Sequence, residues 1–599
     1  MSSAMNWRTG LVMVVGATLL QLAVVAATVE SAVNNALDRL ALAQPEVQQA
    51  IQQTTAADRF LTADEREVLS TRAIRFTVGG PAVVTVLRDA RSPLEPFWLG
   101  SRGFFPAGLE VRVGTNRFEA WSRVFDAGEV RLGVNSLQGG GLHYLIAVAP
   151  AAPATELKVT GLAPKSLRLT NWVDGVKPYA DRDDVVTNVP PALRGQWLVR
   201  TEHGHRDDGR LAGRLRRTAF PSTPQPDHVV LTWSGDPRTT QAMQWRTSLQ
   251  VTNGWVEYWP EEIPAGGETA STNRVQARVK VLLDKRLVND REIAWHTAEL
   301  TRLRPGSAYR YRVGAGNAAH WTEARAFRTA PEAEAGFCFV YMGDAQTELA
   351  KWGGLLDQAW HRHPGLAFVL IAGDLVNRGA ERDDWDGLLR GGRGVLDQRP
   401  LVPVLGNHDC QGGHPSFYLK QFALPRNGPS GLEAERAYAF EYGPVLFLVL
   451  DSNSDPLKQT AWMEQQLSRT QARWKIVSYH HPLYSSAPRR DQAALRKAWG
   501  PLFDHYHVDL ALQGHDHAYL RTYPMRDGQR VADASQGTVY VVSVSGSKMY
   551  EQGAHDYAAV AFPKVSTYQY IDVEPGGGRL RYRAFDAQGQ VRDEFSLSK

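Results

Sequence analysis

Cysteine is almost missing from this chain. Cys338 and Cys410 are the only two in 599 residues, so at most one disulfide can form. A strong charge imbalance is missing as well. The formal net charge of +4 is slight for this length and gives no ground for attraction to nucleic acid or to a membrane surface. Internal repeats and long low-complexity stretches do not occur. A long apolar run occurs in one place, Leu11 to Ala27, interrupted by Gly16, Thr18 and Gln21. That is slightly short for a full membrane span of ~20 residues. Arg8 precedes the run and Val25-Ala26-Ala27 closes it with small residues. Residues 1–27 therefore read as a secretory signal, and the expected location is secreted or periplasmic, with no membrane contact after cleavage. The alternative is an uncleaved anchor through residues 11–27. No cysteine ends the run, which argues against a lipoprotein.

The length implies more than one domain. Residues 28–73 read as a helical leader, with Leu37, Leu40, Leu42, Val47, Ile51 and Leu61 among polar residues and a break at Pro45. Residues 74–221 turn to short alternating runs between Gly and Pro clusters, an all-β pattern of unassigned role. Residues 227–331 form a second β unit whose strand spacing suits a small β-sandwich. From residue 332 to 599 the order becomes strand, motif, helix, which argues for an α/β layered domain.

The chemistry collects in that last segment. Gly343-Asp344 follows the apolar run Phe337–Met342, and Gly373-Asp374 follows Ala367–Ala372. Gly406-Asn407-His408-Asp409 follows Leu401–Leu405, and Asp451-Ser452-Asn453 follows Val445–Leu450. His480-His481 follows Trp474–Tyr479, and Gly514-His515-Asp516-His517 follows Val508–Gln513. Ligands bind beyond the carboxyl ends of the strands in helix-flanked sheets. The pattern thus brings Asp, Asn and His side chains to one sheet edge, where oxygen and imidazole ligands suit Zn²⁺, Mn²⁺ or Fe²⁺. Cys338 lies on a strand roughly 20 Å from that edge, whereas Cys410 stands at it. A disulfide needs Cα atoms within ~7 Å, so two free thiols are expected.

The ordered blocks Asp344, Gly373-Asp374, Gly406-Asn407-His408-Asp409, Val477-Ser478-Tyr479-His480 and Gly514-His515-Asp516-His517 resemble those of the calcineurin-like metallophosphoesterases. They are most similar to the purple acid phosphatase branch. Leu303-x-Pro305-Gly306-x-x-Tyr309-x-Tyr311 resembles the corner of a fibronectin type III module, which that branch carries before its catalytic domain. The resemblance covers about Asp227 to Lys599 and implies a fibronectin-like β-sandwich followed by a four-layer αββα metallophosphoesterase domain; the amino-terminal all-β region lies outside it and makes the chain multidomain. It implies two divalent metal ions. Asp344 and His517 would bind the first, Asn407, His480 and His515 the second, and Asp374 would bridge them. His408 would touch the phosphate or protonate the leaving alcohol, with Asp409 orienting its imidazole. The reaction would be hydrolysis of a small phosphate monoester by a metal-bridging hydroxide.

The departures matter. Asn377 stands where the purple branch has a metal-binding tyrosine, which puts a ferric chromophore in doubt. Gln346 replaces a histidine found in other members; its amide oxygen either ligates the first metal or bonds to a metal-bound water. Arg489 and Arg490 stand near where plant enzymes carry a histidine pair, and are either phosphate ligands or exposed surface. His481 reads as structural. The rival readings are a phosphodiesterase or nucleotide-type hydrolase with the same metals, and a surface binding protein with an inactive phosphoesterase domain. The sequence does not specify the oligomeric state.

Overall fold

The computed structural model describes residues 27–53, 57–152, 156–201, 203–204, 208–261, 272–316, 320–332, 334–411 and 413–599. All but the last residue of the expected signal lies outside them. Two compact units divide the chain, Met1–Arg216 and Arg217–Lys599. Among the described residues no helix is long and apolar enough to cross a membrane.

The first unit opens with helices Val29–Ala41, Pro45–Gln53 and Ala63–Thr71. Thr28 and Thr62 cap the first and third of these through their hydroxyls, which accept from the Ser31 and Glu65 N–H groups. Such caps satisfy N–H groups that a helix leaves without partners. A three-stranded and a seven-stranded sheet follow. The strand Ile74–Val78 alternates buried and exposed residues, as a strand with one face in a core should. Phe76, Val84, Trp98, Val130 and Ile146 lie in that core.

The second unit begins with a sandwich of two four-stranded sheets. Met243, Trp245, Val256, Tyr311 and Phe327 fill it. The Tyr309 hydroxyl accepts the Arg304 N–H at 2.9 Å, the bond that characterises a tyrosine corner. The sandwich is tied to the domain that follows. Trp295 donates its indole N–H to the Gln421 carbonyl at 3.0 Å, and Tyr311 its hydroxyl to the Asp397 carbonyl at 2.6 Å. Arg246, only 1% exposed, pairs with Asp386 at 2.9 Å, and Arg382 pairs with Asp290 at 2.6 Å.

The following domain has two mixed sheets face to face. One runs in the order Leu401–Pro403, Val369–Ile371, Phe337–Met342, Thr567–Val573, Arg579–Asp586, Val591–Ser598, with its first three strands parallel. The other has four consecutive parallel strands, Val445–Val449, Trp474–Ser478, Leu510–Gln513 and Val539–Val542. Phe339, Phe368, Phe440, Phe447, Tyr519 and Tyr582 fill the space between the sheets. Helices Leu349–Arg362 and Arg382–Gly391 cover the first sheet. Helices Leu457–Arg469 and Ala493–Tyr506 lay Trp462, Met463, Trp499 and Phe503 against the second. This is the expected αββα arrangement. Parallel strands buried on both faces need near-continuous apolar runs, and these runs supply them. The two cysteines are free.

Candidate metal centre

Six parallel strands end on one edge, and each is followed by a segment carrying one of the polar motifs. The approach of these segments is close. At Gly373, with φ +84°, a Cβ would lie 2.5 Å from the His480 ring; at Gly406 it would lie 2.0 Å from the Asp374 nitrogen. Only glycine admits such contacts. The loops are also strained: Asp344, Asp374, His515 and His517 all have positive φ, a conformation that costs a non-glycine residue free energy and collects at functional sites.

Asp374 stands at the centre. One carboxylate oxygen accepts the His408 N–H at 2.8 Å. The other lies 3.3 Å from His480 Nε2 and accepts from Gln346 Nε2 at 3.0 Å. On one side, Asp344 Oδ2 accepts the His515 N–H at 2.7 Å, and its Oδ1 lies 3.5 Å from His517 Nε2. On the other, Asn407 Oδ1 lies 3.1 Å from His480 Nε2 and 3.0 Å from His515 Nδ1, and those two ring nitrogens are 3.2 Å apart.

The tautomers follow from the outer bonds. His480 Nδ1 donates to the Ala372 carbonyl at 3.0 Å, and His517 Nδ1 to the Lys548 carbonyl at 2.7 Å. A carbonyl only accepts, so in each neutral ring Nε2 turns a lone pair inward. Lone pairs and carboxylates therefore face one another without a counter-charge. Burial alone would lower the basicity of His480, but the Asp374 carboxylate outweighs it and raises His480 to about 9. A proton there takes the place of a cation. Burial, reinforced by Asp374, raises Asp344 well above the carboxylate range. Asp374 is itself held low against its burial, chiefly by His480. Burial brings His517 down to about 4.

The donor set fits divalent cations. Asp344, Asp374 and His517 form one group that could hold a metal ion, and His480, His481 and His515 another. Asp344 Oδ1 and Gln346 Oε1 are buried with no hydrogen-bond partner. Gln346 Nε2 lies 3.0 Å from both Asp374 Oδ2 and His517 Nε2, where a shared cation would also be stabilised. Buried acceptors without partners are costly, and cations would satisfy them.

Comparison with known proteins agrees. Residues 226–329 match the family described as purple acid phosphatase, N-terminal domain, and residues 339–519 match the calcineurin-like phosphoesterases. The second unit is thus similar to the purple acid phosphatases and to the calcineurin-like phosphoesterases. An uncharacterized protein of Mycobacterium tuberculosis is 27% identical over 43% of this chain and 58% of its own length. Phosphoenolpyruvate phosphatase of Allium cepa is 28% identical over 43% of this chain and 56% of its own. The chain thus spans less than two thirds of these relatives. A purple acid phosphatase from yellow lupin (Lupinus luteus) seeds shares the fold, with a TM-score of 0.55 at 15% identity, over 86% of this chain and 90% of that one.

Within this unit, Asp344, Asp374, Asn407, His480, His515, His517 and Gln346 converge. The expected role of Asp409 needs amendment. Asp409 does not orient the His408 ring. Its buried carboxylate accepts the N–H groups of Gly406 at 2.8 Å, Val376 at 3.1 Å and Leu375 at 3.3 Å. It braces the Asp374 loop against the Asn407 loop. His408 Nδ1 is held instead by the Asn377 carbonyl at 2.7 Å, a backbone group whose partner no residue type announces. Arg489 and Arg490 part company. Arg489 is exposed, while Arg490 pairs with the fully buried Asp516 at 3.0 Å. His481, expected to be structural, lies 2.9 Å through Nδ1 from the Ser452 hydroxyl and stands within the second group of atoms that could hold a metal ion. Its adjacency to His480 was the available signal.

If Asp409 acts as a brace, Asp409→Ala leaves three backbone N–H groups without their acceptor. We expect the metal-free protein to lose about 2–3 kcal/mol of stability, measured by urea unfolding. An effect confined to turnover, with unfolding unchanged, would return Asp409 to the His408 imidazole.

Proposed function

We propose that the second unit hydrolyses phosphate monoesters with a pair of divalent metal ions. Asp344 and His517 would hold the first ion, Asn407, His480 and His515 the second, and Asp374 both. The observation that carries this reading is the position of Asp374 between two buried groups of inward-facing ligand atoms. When bound, such a pair of ions neutralises phosphoryl charge and supplies an acidified water as nucleophile. Gln346 adds to the first site, since a half-turn of its amide would present the unpartnered Oε1 in place of Nε2. The relatives' names as phosphatases support monoesters over diesters.

The protein's own groups then handle position and protons. His408 is half-buried at the mouth of the site. Its Nδ1–H donates to the Asn377 carbonyl, which leaves Nε2 as the group able to carry a proton to the leaving oxygen. Export through the signal at residues 1–27 is part of the same proposal.

Replacement tests the roles separately. Asp374→Ala should remove activity and at least one bound metal. His408→Ala should keep both metals and lose about 10²–10⁴-fold in rate. Turnover of an aryl phosphate beside elemental analysis decides both, and two metals with normal turnover in Asp374→Ala would end the assignment.

The colour of the protein is a second test. Asn377 has no phenol to give a charge-transfer band with ferric iron. Tyr341 cannot replace it, because its hydroxyl donates to the Gln513 carbonyl and accepts the Gln513 N–H at 2.9 Å. A colourless protein active with Zn²⁺ or Mn²⁺ is expected. A strong purple band with stoichiometric iron would show that another tyrosine reaches the metal.

Export predicts an amino terminus near Thr28 in mature protein from the native host. Edman sequencing would read it, and an intact Met1 in the membrane fraction would favour the anchor.

A further inference from the structure

One parallel strand is left over once the motifs are assigned. Val539–Val542 runs parallel beside Leu510–Gln513, so the segment after it opens on the same edge as the metal centre. That segment is fastened to the centre. The Ser545 N–H donates to the Gly343 carbonyl at 2.7 Å, the Gly546 N–H to the Asp344 carbonyl at 2.9 Å, and the Tyr550 N–H to the His517 carbonyl at 3.0 Å. The Lys548 carbonyl in turn receives the His517 ring N–H.

The side chains of this segment meet Arg490. The Tyr550 ring lies 4.6 Å from the His517 ring. The Arg490 guanidinium is 4.9 Å from the Tyr550 ring and the Lys548 ammonium 5.6 Å, both within cation–π range. Arg490 is held by Asp516, whose other carboxylate oxygen accepts the Ser486 and Ala487 N–H groups at 2.7 and 3.2 Å. Among the described residues no acidic side chain pairs with Lys548. Two cations therefore flank one aromatic ring beside His517 and His515, and among the described residues one carboxylate, Asp516, pairs with them.

Two metal ions held at this centre would offset the charge of the phosphoryl group itself. The two further cations beside the site would then be left to meet charge elsewhere on the substrate. We infer that Lys548, Arg490 and Tyr550 recognise a second anionic group, phosphate or carboxylate, on the leaving part of the substrate. This rests on the phosphoesterase reading above. It narrows the substrate class to esters and anhydrides with a charged leaving group.

The test compares three substrates on the metal-loaded full chain. 4-Nitrophenyl phosphate carries no second anion, ADP carries a phosphate on the leaving side, and phosphoenolpyruvate carries a carboxylate. The wild type should favour ADP or phosphoenolpyruvate over 4-nitrophenyl phosphate in kcat/KM, and which one it favours identifies the anion. Lys548→Ala should cut kcat/KM for the favoured substrate about 10–100-fold, mainly through KM, and cut that for 4-nitrophenyl phosphate far less. Lys548→Arg should restore most of the loss. Arg490→Ala should act in the same direction, although it strips buried Asp516 of its partner. Calorimetric titration with imidodiphosphate, which is not hydrolysed, should show the same weakening in Lys548→Ala with metal content unchanged. An equal fall on all three substrates, with imidodiphosphate affinity unaltered, would overturn the inference and leave the phosphoesterase reading standing. If the wild type hydrolyses none of the three, the phosphoesterase reading fails, and the imidodiphosphate titration still decides whether Lys548 binds an anion.

Discussion

Buried lone pairs and carboxylates repel one another unless a positive charge sits among them. That constraint governs the second unit. Asp344 and Asp374 are essentially inaccessible, and each buried ion without compensation costs several kcal/mol. In the absence of metal, the His480 proton and the Gln346 amide nitrogen act as poor substitutes for cations. They leave Asp344 Oδ1 and Gln346 Oε1 with nothing to bond. Metal ions would also reverse the titration pattern, because an ion's charge is the largest in any site that holds one. Affinity for metal and tolerance of this fold for such a cluster are two sides of one electrostatic fact.

The cluster exists because the backbone forces it. Two sheets bring parallel strands to a common edge, and glycines let their loops meet at distances that a Cβ would prevent. The sheets are pinned to each other just beneath the site. Tyr341 in one bonds through its hydroxyl to both backbone groups of Gln513 in the other. Gln513 lies two residues before His515, and Tyr341 three before Asp344. One buried phenol thus sets the spacing between the sheets where the two ligand groups face each other.

The αββα layers were legible in the sequence because buried parallel strands and amphipathic helices leave different apolar periods. The converging residues were legible because each follows a strand end. What escaped was of another kind. The bonds of Asp409 and His408 go to backbone groups, which carry no residue signature. Arg489 and Arg490 look alike in sequence, and only the buried Asp516 tells them apart. Lys548 and Tyr550 form no motif; their strand had to be seen as parallel before its loop could be placed at the edge.

The fibronectin-like module enters the same architecture through one helix. The chain leaves Asp374, passes Asn377 and enters helix Arg382–Gly391, whose N-cap residue Glu381 makes no side-chain capping bond. The missing acceptor comes from the module: Asp284 accepts the Arg382 N–H at 3.0 Å. Asp290 then takes the Arg382 guanidinium, and Arg246 takes Asp386 one turn further on. A helix start left without a cap frays. Here fraying would begin a few residues from Asn377, whose carbonyl holds the His408 ring. The module therefore stabilises the segment that links the central carboxylate to His408, although none of its residues is among the candidate metal ligands.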